Sequence, residues 1–436
     1  MVTSGQTTWT NWGRTASCSP VRTMTPVGDE EIAQVLKDAA SSGLTVKVAG
    51  TGHSFTDIAC TDGVQVTLDR HARLLDVDAT KRTVTVEAGI TIARLAHELA
   101  EHGLALSNLG DIGYQTVAGA ISTATHGTGA RFPPISAQVV GLRLVTADGG
   151  PLDLTRESDP DGFHAAQVSL GALGVVSRVT IQCEPAFNLH AVEQPEKLEA
   201  VLESFEDRVA KNEHFEFYWF PHTDVCMTKE NNRTDAPMKP KSGARTWFDD
   251  TFIANRVFGV TQRIGRRWPR TVPRIAGLAG VLLSKTEEVD RSDRVFLTPR
   301  LVRFAEMEYS IPREAAPQAV RAVKDLIERD RLIVSFPIEV RAVAPDDAFL
   351  SPAYGRDTAY LAVHMFQGVD FHPYFKAVEA AMKDLGGRPH WGKWHYRSRD
   401  DLHPAYPDFD RFLAVRDRLD PDRLFANAYL DRVLGP

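Results

Sequence analysis

Cysteine is scarce in this sequence, and long hydrophobic runs are absent. The four cysteines among 436 residues lie far apart and form no CxxC pair, a pattern that supports neither a zinc site nor a disulfide framework. Residues 1–20 lack the apolar core of a signal peptide, and no run approaches the eighteen apolar residues that a membrane span requires. These absences predict a soluble cytoplasmic protein with no bound metal.

Excess positive charge is missing as well. The net charge is −7, from 50 basic and 57 acidic residues, and this balance disfavours a nucleic-acid partner, which requires a broad basic surface. The composition, 43% hydrophobic and 25% charged, is that of a globular protein. A chain of this length exceeds one ordinary core, so we expect two domains, which could be interleaved.

Residues 1–186 alternate short strands with helices. Residues 30–42 have apolar positions at helical spacing and end before Gly43, and residues 90–103 form an amphipathic helix that Gly103 would end. These alternating elements predict one domain.

Beyond residue 187 the pattern changes to longer helices, such as 314–330, and alternating strands, such as 214–220. A polar stretch, 229–245, is predicted to be a loop. Residues 187–389 therefore indicate a second, α+β domain. The last segment, 390–436, is too short for a domain of its own and is expected to pack against the first one.

Three glycine-rich stretches lie in the first region, at residues 50–54, 119–129 and 171–174. Glycine lets the backbone approach a ligand closely and turn successive N–H groups toward a phosphate. None of the three matches GxGxxG at the start of a helix, or the phosphate loop GxxxxGK[ST]. A nicotinamide-binding Rossmann domain and a nucleoside triphosphatase are therefore disfavoured. For any single stretch, an ordinary tight turn is the alternative.

Four motifs together resemble those of the aldonolactone oxidoreductases, in the same order. They are VAGTGHSFTDIACTDG, NLGDIGYQTVAGAISTATHGTG, SLGALGVVSRVT and RPHWGKWHY, and the resemblance covers nearly the whole chain. This group includes gulonolactone and arabinonolactone oxidases, with alditol oxidases nearby, within the vanillyl-alcohol-oxidase flavoprotein family. The resemblance implies an α+β fold with a two-part, PCMH-type FAD-binding domain. Its parts would be residues 1–186 and 390–436, and residues 187–389 would form an inserted α+β cap or substrate domain.

The resemblance also implies that FAD is attached covalently to His53 through the 8α-methyl carbon. A histidine nitrogen can attack this electrophilic methyl in the oxidised flavin; a structural histidine is the alternative. No cysteine matches a second attachment site. Further FAD contacts are implied at Gly50, Thr51, Gly52, Ser54, Phe55, Gly110, Asp111, Val117, Gly119, Ser122, Thr125, His126, Gly127, Gly174, Val176 and Lys393.

The strand SFPIEVRAV carries a pair of opposite charges. Strand alternation places Glu339 and Arg341 side by side on the face opposite Ile338 and Val340. A salt bridge on a solvated face is one interpretation of this pair. The resemblance implies instead that both residues line the substrate pocket and bind the substrate hydroxyl and the oxyanion, with Arg341 assisting deprotonation.

Two further positions complete the expected catalytic set. By resemblance, Lys393 lies near the flavin N1 edge, where a fixed cation stabilises the reduced ring; an exposed lysine is the alternative. His364, on the apolar strand AYLAVHMF, is expected to bind a substrate hydroxyl or act as a base, or else to be an ordinary core histidine. His126 is expected to be a structural and flavin-contacting residue.

The activity implied is FAD-dependent oxidation of the C2 hydroxyl of a sugar 1,4-lactone by hydride transfer to flavin N5, with L-gulono-1,4-lactone as the first candidate. The alternative is an alditol oxidase that acts on a terminal polyol hydroxyl; Asp111, where alditol oxidases tend to carry serine, favours lactones. A protein that keeps the fold only as a binding module is a third possibility. Gly110 would leave space where oxygen reacts, but the electron acceptor stays open between O2 and an external dye, cytochrome or quinone.

Residues 261–283 combine five arginines with an apolar tail. Such a segment could lie on a membrane surface and deliver electrons to a quinone. Pro269 and Pro273 interrupt any long helix there. The favoured interpretation is a surface helix of the cap domain, so membrane contact is not expected.

Overall fold

The computed structural model describes residues 8–241, 255–298 and 300–436, and for Ala279 the backbone only. These residues form an α+β fold with two large hydrophobic cores. The first core belongs to the amino-terminal region and the second to the large sheet that follows it.

The amino-terminal region contains a three-stranded parallel sheet and a five-stranded antiparallel sheet, with strand orders β3-β5-β4 and β10-β9-β11-β7-β6. The strands of this region are β1 (Trp9–Thr10), β2 (Ser17–Cys18), β3 (Arg22–Met24), β4 (Val46–Val48), β5 (Val64–Val66), β6 (Leu74–Asp78), β7 (Thr83–Glu87), β8 (Leu104–Ala105), β9 (Val139–Val145), β10 (Pro151–Leu154), β11 (Val175–Gln182) and β12 (Glu184–Pro185). The helices are α1 (Gly28–Ser41), α2 (Ile92–Glu101), α3 (Val117–Ser122) and α4 (Pro160–Gln167).

The middle of the chain forms one eight-stranded antiparallel sheet, in the order β16-β13-β15-β14-β18-β19-β17-β20. Its strands are β13 (Asn188–Lys197), β14 (His214–Trp219), β15 (Val225–Thr234), β16 (Thr286–Arg291), β17 (Phe304–Pro312), β18 (Ile338–Val343), β19 (Thr358–Phe366) and β20 (Arg388–Pro389). The helices here are α5 (Leu198–Glu203), α6 (Phe205–Lys211), α7 (Phe258–Arg267), α8 (Val272–Leu282), α9 (Ser292–Phe296), α10 (Ala316–Arg329) and α11 (His372–Asp384).

Period-two alternation divides this sheet into an apolar face and a charged face. Ile338 and Val340 of β18 join the core that α10 and α11 cover. Glu339 lies between these two residues in the sequence and Arg341 follows them. Both side chains point to the opposite face of the sheet and line a pocket. The charged face is turned toward the amino-terminal region, since the Arg341 side chain contacts Asp111 of that region. The substrate side of the site is therefore built on rigid strands.

The carboxyl-terminal segment contributes α12 (Arg399–Leu402), α13 (Phe409–Leu419) and α14 (Ala428–Leu434). Phe412 and Tyr429 are buried in the core of the amino-terminal region. The Val46 N–H donates to Leu424 O at 2.8 Å, and the buried Lys47 ammonium donates to Gly171 O and Phe425 O, both at 3.2 Å. The end of the chain is thus tied to strand β4, directly before the first glycine-rich loop.

The helices predicted at 30–42, 90–103 and 314–330 are confirmed, with ends within two residues of the observed ones. The prediction of a loop at 229–245 is wrong for its first residues, because β15 runs to Thr234 and pairs with β13 and β14 on its two sides. Ladder pairing on both sides outweighs the polar composition there. Residues 242–245 lie outside the described ranges.

All four cysteines are free thiols. Among the described helices, none has the length and apolar character that crossing a bilayer requires.

Candidate active site

A cleft in the amino-terminal region begins where β4 ends at Val48. In the loop that follows, the backbone N–H groups of residues 51–54 make no hydrogen bond with any residue in the described ranges. Gly52 has φ +75°, which turns the loop tightly. Several successive N–H groups without a protein acceptor form a concave anion site. The loop therefore fits the pyrophosphate of a dinucleotide cofactor.

Further glycines keep the same cleft open. A Cβ at Gly50 would lie 2.8 Å from Thr116 Oγ1, and one at Gly119 would lie 3.1 Å from the same atom. Gly174, with φ +147°, would place a Cβ 2.8 Å from Val145 O. Side chains at these positions would collide with the surrounding chain. The glycines therefore let β4, α3 and β11 lie close together around the cleft that they line.

Most of the predicted cofactor residues line one of two adjoining cavities. The cleft is lined by Gly50, Thr51, Gly52, His53, Ser54, Gly119, Ser122, Gly174 and Val176. The neighbouring pocket is lined by His53, Ser54, Gly110, Asp111, Thr125, His126 and Lys393. His53 and Ser54 belong to both cavities, so they mark the junction between cleft and pocket.

Three predicted cofactor residues, Phe55, Val117 and Gly127, are not among the described residues that line either cavity. Val117 faces the core from α3 and is fully buried. A Cβ at Gly127 would lie 2.3 Å from Leu109 O, so this glycine permits close chain packing. Phe55 stacks on Phe304 behind the pocket. These positions support the cavity walls, since adjacent residues in a motif face different sides of the chain.

His53 lies where the cleft meets the pocket. Its ring stacks between Trp12, with centroids 5.6 Å apart, and Tyr114, at 6.3 Å, and its Nδ1 lies 3.1 Å from Thr51 Oγ1. Burial, with the nearby positive charge of Lys393, lowers the pKa of His53 to about 4. The ring is therefore neutral at neutral pH, with a nitrogen lone pair available as a nucleophile.

Arg341 is held by three carboxylates. Its Nε donates to Glu216 Oε2 at 2.8 Å, and its Nη2 contacts Asp111 and Glu339. Burial opposes the charged form, but Asp111, Glu339 and Glu216 outweigh it and raise the pKa of Arg341 well above its usual value. The guanidinium keeps its proton, so Arg341 can assist deprotonation through its charge but cannot accept the proton.

Asp111 is the anchor of this cluster. It pairs with Arg300 at 2.5 Å as well as with Arg341. Burial opposes its ionisation, but the two guanidinium groups outweigh burial and hold the pKa of Asp111 well below its usual range. The residue predicted to contact FAD thus has its carboxylate turned toward the substrate pocket, where it fixes Arg341.

Glu339 has an unusual carboxyl group. Its Oε1 is in ion-pair contact with Arg341, and no other described residue donates a hydrogen bond to this oxygen. Burial raises the pKa of Glu339; Arg341 opposes this, but the negative charges of Asp111 and Glu216 add to it, and the pKa is about 8. This carboxyl group changes protonation state close to neutral pH, as a general base requires.

Glu306 holds two of the predicted catalytic residues. Lys393 Nζ lies 2.6 Å from Glu306 Oε2, and His364 Nε2 lies 3.4 Å from Glu306 Oε1. Burial would lower the pKa of Lys393, but Glu306 and Glu308 outweigh it and raise that pKa, so Lys393 stays an ammonium ion. His364 Nδ1 also lies 3.1 Å from Pro337 O. His364 is therefore held between Glu306 and the backbone of Pro337, with its ring in the lining of the pocket.

Glu308, two residues along β17, forms a second such group. His126 Nε2 lies 3.3 Å from Glu308 Oε1, and His126 Nδ1 lies 2.9 Å from Gly127 O. His390 completes the group, with ligand-type atoms of all three side chains within 4.8 Å of one another. Two histidines and a carboxylate can bind zinc. In this group, however, the His126 ring lies between the Glu308 carboxylate and Gly127 O, so its two nitrogens already have partners within the protein.

Sequence reasoning missed Glu216, Arg300, Glu306 and Glu308. The strand FAEMEYSIP contained a signal, because its alternation places Glu306 and Glu308 on the face opposite Met307 and Tyr309. Two acidic residues inside an apolar strand require partners when buried. Glu216 shows the same pattern in HFEFYW, but the chain around Arg300 carries no comparable signal.

Comparisons with known proteins show which families this chain is similar to. The model of the D-arabinono-1,4-lactone oxidase family matches residues 179–433, and that of an FAD binding domain matches residues 20–155. The chain is 48% identical to L-gulono-1,4-lactone dehydrogenase of Mycobacterium tuberculosis, over 98% of this chain and 99% of that protein. It is 39% identical to L-gulonolactone oxidase of Bos taurus, over 97% of each, and 32% identical to alditol oxidase of a Streptomyces species, over 98% of each.

Solved structures share the fold at much lower sequence identity. Cholesterol oxidase from B. sterolicum superposes with a TM-score of 0.82, covering 100% of this chain and 97% of that one, at 18% identity. This likeness supports the two-part FAD-binding architecture with an inserted domain, but it carries no information about substrate.

Proposed function

The chain belongs to the D-arabinono-1,4-lactone oxidase family of FAD-linked oxidoreductases, and from that premise we propose that it oxidises the C2 hydroxyl of a sugar 1,4-lactone, with L-gulono-1,4-lactone as the first candidate. One observation carries the proposal: the Glu339 carboxyl group lines the pocket paired with a fixed Arg341, and no other described residue donates a hydrogen bond to its Oε1. A hydroxyl next to a carbonyl is the ligand that such a pair would bind, because the carboxylate accepts its proton and the guanidinium stabilises the oxygen.

Oxidation of C2 divides into a proton step and a hydride step. The C2 hydroxyl would give its proton to the carboxylate form of Glu339. FAD, which the loop Gly50–Ser54 would hold, would supply the two-electron acceptor for the C2 hydride. Arg341 stabilises the developing alkoxide, because Asp111 and Glu216 hold its guanidinium in place. The product is a ketone at C2, which can enolise.

Lys393 supplies a positive charge at the junction of cleft and pocket. The Phe55 N–H donates to Gly392 O at 2.6 Å, a bond that ties the loop of His53 to the segment of Lys393. In this position the ammonium would stabilise negative charge on the reduced cofactor. His364 lies beside Glu306 and Pro337 O in the lining of the same pocket, where its ring would help to orient a substrate hydroxyl.

We also propose that FAD is bound covalently through His53. Support comes from the neutral ring, held by Trp12 and Tyr114, at the point where the cleft opens into the pocket. In the parent protein the flavin should remain with the acid-precipitated pellet, and in His53→Ala it should appear in the supernatant. Flavin in the parent supernatant would exclude the bond.

The substrate is tested by visible spectra of purified protein under anaerobic conditions. Addition of L-gulono-1,4-lactone should bleach the oxidised flavin band. Bleaching by xylitol or sorbitol with no response to the lactone would assign the enzyme to alditol oxidation instead. A protein that retains flavin but responds to neither class would contradict the proposed activity.

A further inference from the structure

One segment of this acidic chain carries only positive charge. Between residues 255 and 285 there is no aspartate or glutamate, although the whole chain has a net charge of −7. None of the arginines in this segment forms an ion pair with a described carboxylate, and Lys285 approaches Glu287 only at 4.0 Å. The basic residues are Arg256, Arg263, Arg266, Arg267, Arg270, Arg274 and Lys285.

The same segment exposes large apolar side chains. Trp268 is 58% exposed, Leu278 64%, Leu282 73% and Val281 82%. With Val257 and Val260, these residues make up half of the exposed large apolar residues in the described part of the chain. Concentration of such residues in one place marks an interaction surface, whereas scattered ones are normal. We call this surface of α7, the turn Pro269–Thr271 and α8 the basic–apolar face.

The basic–apolar face is anchored to the protein on one side only. Phe258, at the start of α7, packs against Phe336 with centroids 4.9 Å apart, and Gln262 donates to Ser335 O at 3.0 Å. Beyond the turn, Val272 is buried and Gly280 lies close to Val225, but the large apolar side chains in the later part of α8 are exposed. The apolar side chains therefore stand out from the molecule and do not line a groove.

We propose that the basic–apolar face docks on the surface of an anionic lipid bilayer. Single aliphatic side chains and a tryptophan that project from short helices can enter the interface between headgroups and acyl chains. Arginines around them would bind anionic headgroups. Because the rest of the chain is acidic, it would be repelled from the same surface, and this repulsion fixes the orientation. Docking at the surface agrees with the finding that no described helix could span a bilayer.

Docking would place the substrate pocket beside the membrane. Asn255 and Phe258 line the pocket at the start of α7, and the basic–apolar face continues from that point. The proposal does not depend on the identity of the substrate, since lipid binding is measured without turnover.

The test is flotation of the purified holoenzyme with vesicles of phosphatidylcholine alone or mixed equally with phosphatidylglycerol. We expect roughly tenfold more protein on the anionic vesicles, and we expect salt to reverse part of this binding. Trp268→Ser with Leu282→Ser, and separately Arg267→Gln with Arg270→Gln and Arg274→Gln, should each abolish the preference.

Matched controls come from exposed residues elsewhere: Leu75→Ser with Val140→Ser for the apolar change, and Arg70→Gln with Arg131→Gln and Arg331→Gln for the charge change. These variants should float like the parent protein. Retained flavin absorbance shows that each variant is folded.

Three results would overturn the proposal. The first is that the parent protein does not bind anionic vesicles, and the second is that the face variants bind them as well as the parent does. The third is that light scattering shows the parent and control proteins as dimers and the face variants as monomers. In that case the basic–apolar face would be the interface between two copies of this chain.

Discussion

The cofactor cleft and the substrate pocket adjoin at His53, yet they are built from different chemistry. Apart from Lys47 and His53, the described lining of the cleft has no ionisable side chain, and the glycines expose backbone N–H groups. The described lining of the pocket carries four carboxylates and three cations besides its histidines: Asp111, Glu306, Glu308, Glu339, Arg300, Arg341 and Lys393.

This difference separates binding from chemistry. Backbone groups around glycine recognise the shape and charge of a constant cofactor, and they need no titratable partner. Interactions that stabilise a transition state need fixed charges close to the reacting atoms, and buried charges must in turn be paired. Substitutions in the pocket should therefore change rates at constant flavin content, and substitutions in the cleft should do the reverse.

The largest effect should follow Glu339→Gln. In the parent, the rate of anaerobic flavin reduction should rise with pH and level off above about 8, because Glu339 accepts the proton only in its deprotonated form. The variant should lose this rise and react about 10² to 10⁴ times more slowly. Stopped-flow reduction across the pH range measures both. The exposed Glu203→Gln serves as control, and a pH rise that persists in Glu339→Gln would assign the base elsewhere.

Lys393→Met should slow flavin reduction by about 10² to 10³, since it removes a fixed cation where negative charge develops. Flavin content should stay at the parent level. Lys383→Met, which changes an exposed lysine paired with Asp401 at 2.9 Å, should behave like the parent. Loss of flavin at an unchanged reduction rate would move Lys393 from catalysis to cofactor binding.

Asp111→Asn distinguishes the two cavities most directly. Removal of this carboxylate leaves Arg341 with one fewer partner, so KM for the lactone should rise about 10- to 100-fold. Steady-state kinetics with measured flavin content tests this expectation. If flavin content falls while KM is unchanged, then Asp111 serves the cofactor, as the sequence motif alone suggested.

The smallest effect should follow Gly52→Ala. An alanine at φ +75° costs about 1 kcal/mol, and a distorted loop should lower the fraction of chains that carry flavin. In the chains that do carry flavin, the lactone should reduce the flavin at the same rate as in the parent protein. Gly28→Ala is a matched control, because Gly28 has φ +78° and open space around it. Both variants should lose similar thermal stability, but only Gly52→Ala should lose flavin.

Sequence patterns located the cleft better than the pocket. The loop from Gly50 to Ser54 is a local feature whose conformation depends on its own glycines, so the motif alone was enough to predict a loop that lines the cleft. Val117 and Gly127, from the same motifs, have supporting roles, because a motif does not reveal which side of the chain faces the ligand. His364 was placed in the pocket correctly, but its role as a base depended on partners from other strands.

The sequence by itself determined which residues share a face. Alternation placed Glu339 with Arg341, and the same rule would have placed Glu306 with Glu308, because side chains on a strand repeat every two residues. It also set the one-sided charge of the segment 255–285.

Only the tertiary structure decided which charges meet. Asp111 reaches Arg341 across 230 positions of the chain, and Lys393, which lies outside the strands, pairs with Glu306 on β17. These pairings decide that Arg341 stays charged and that Glu339 titrates near neutral pH. The physical reason is that protonation in a buried site depends on neighbours in space, whereas periodicity reports only neighbours along the chain.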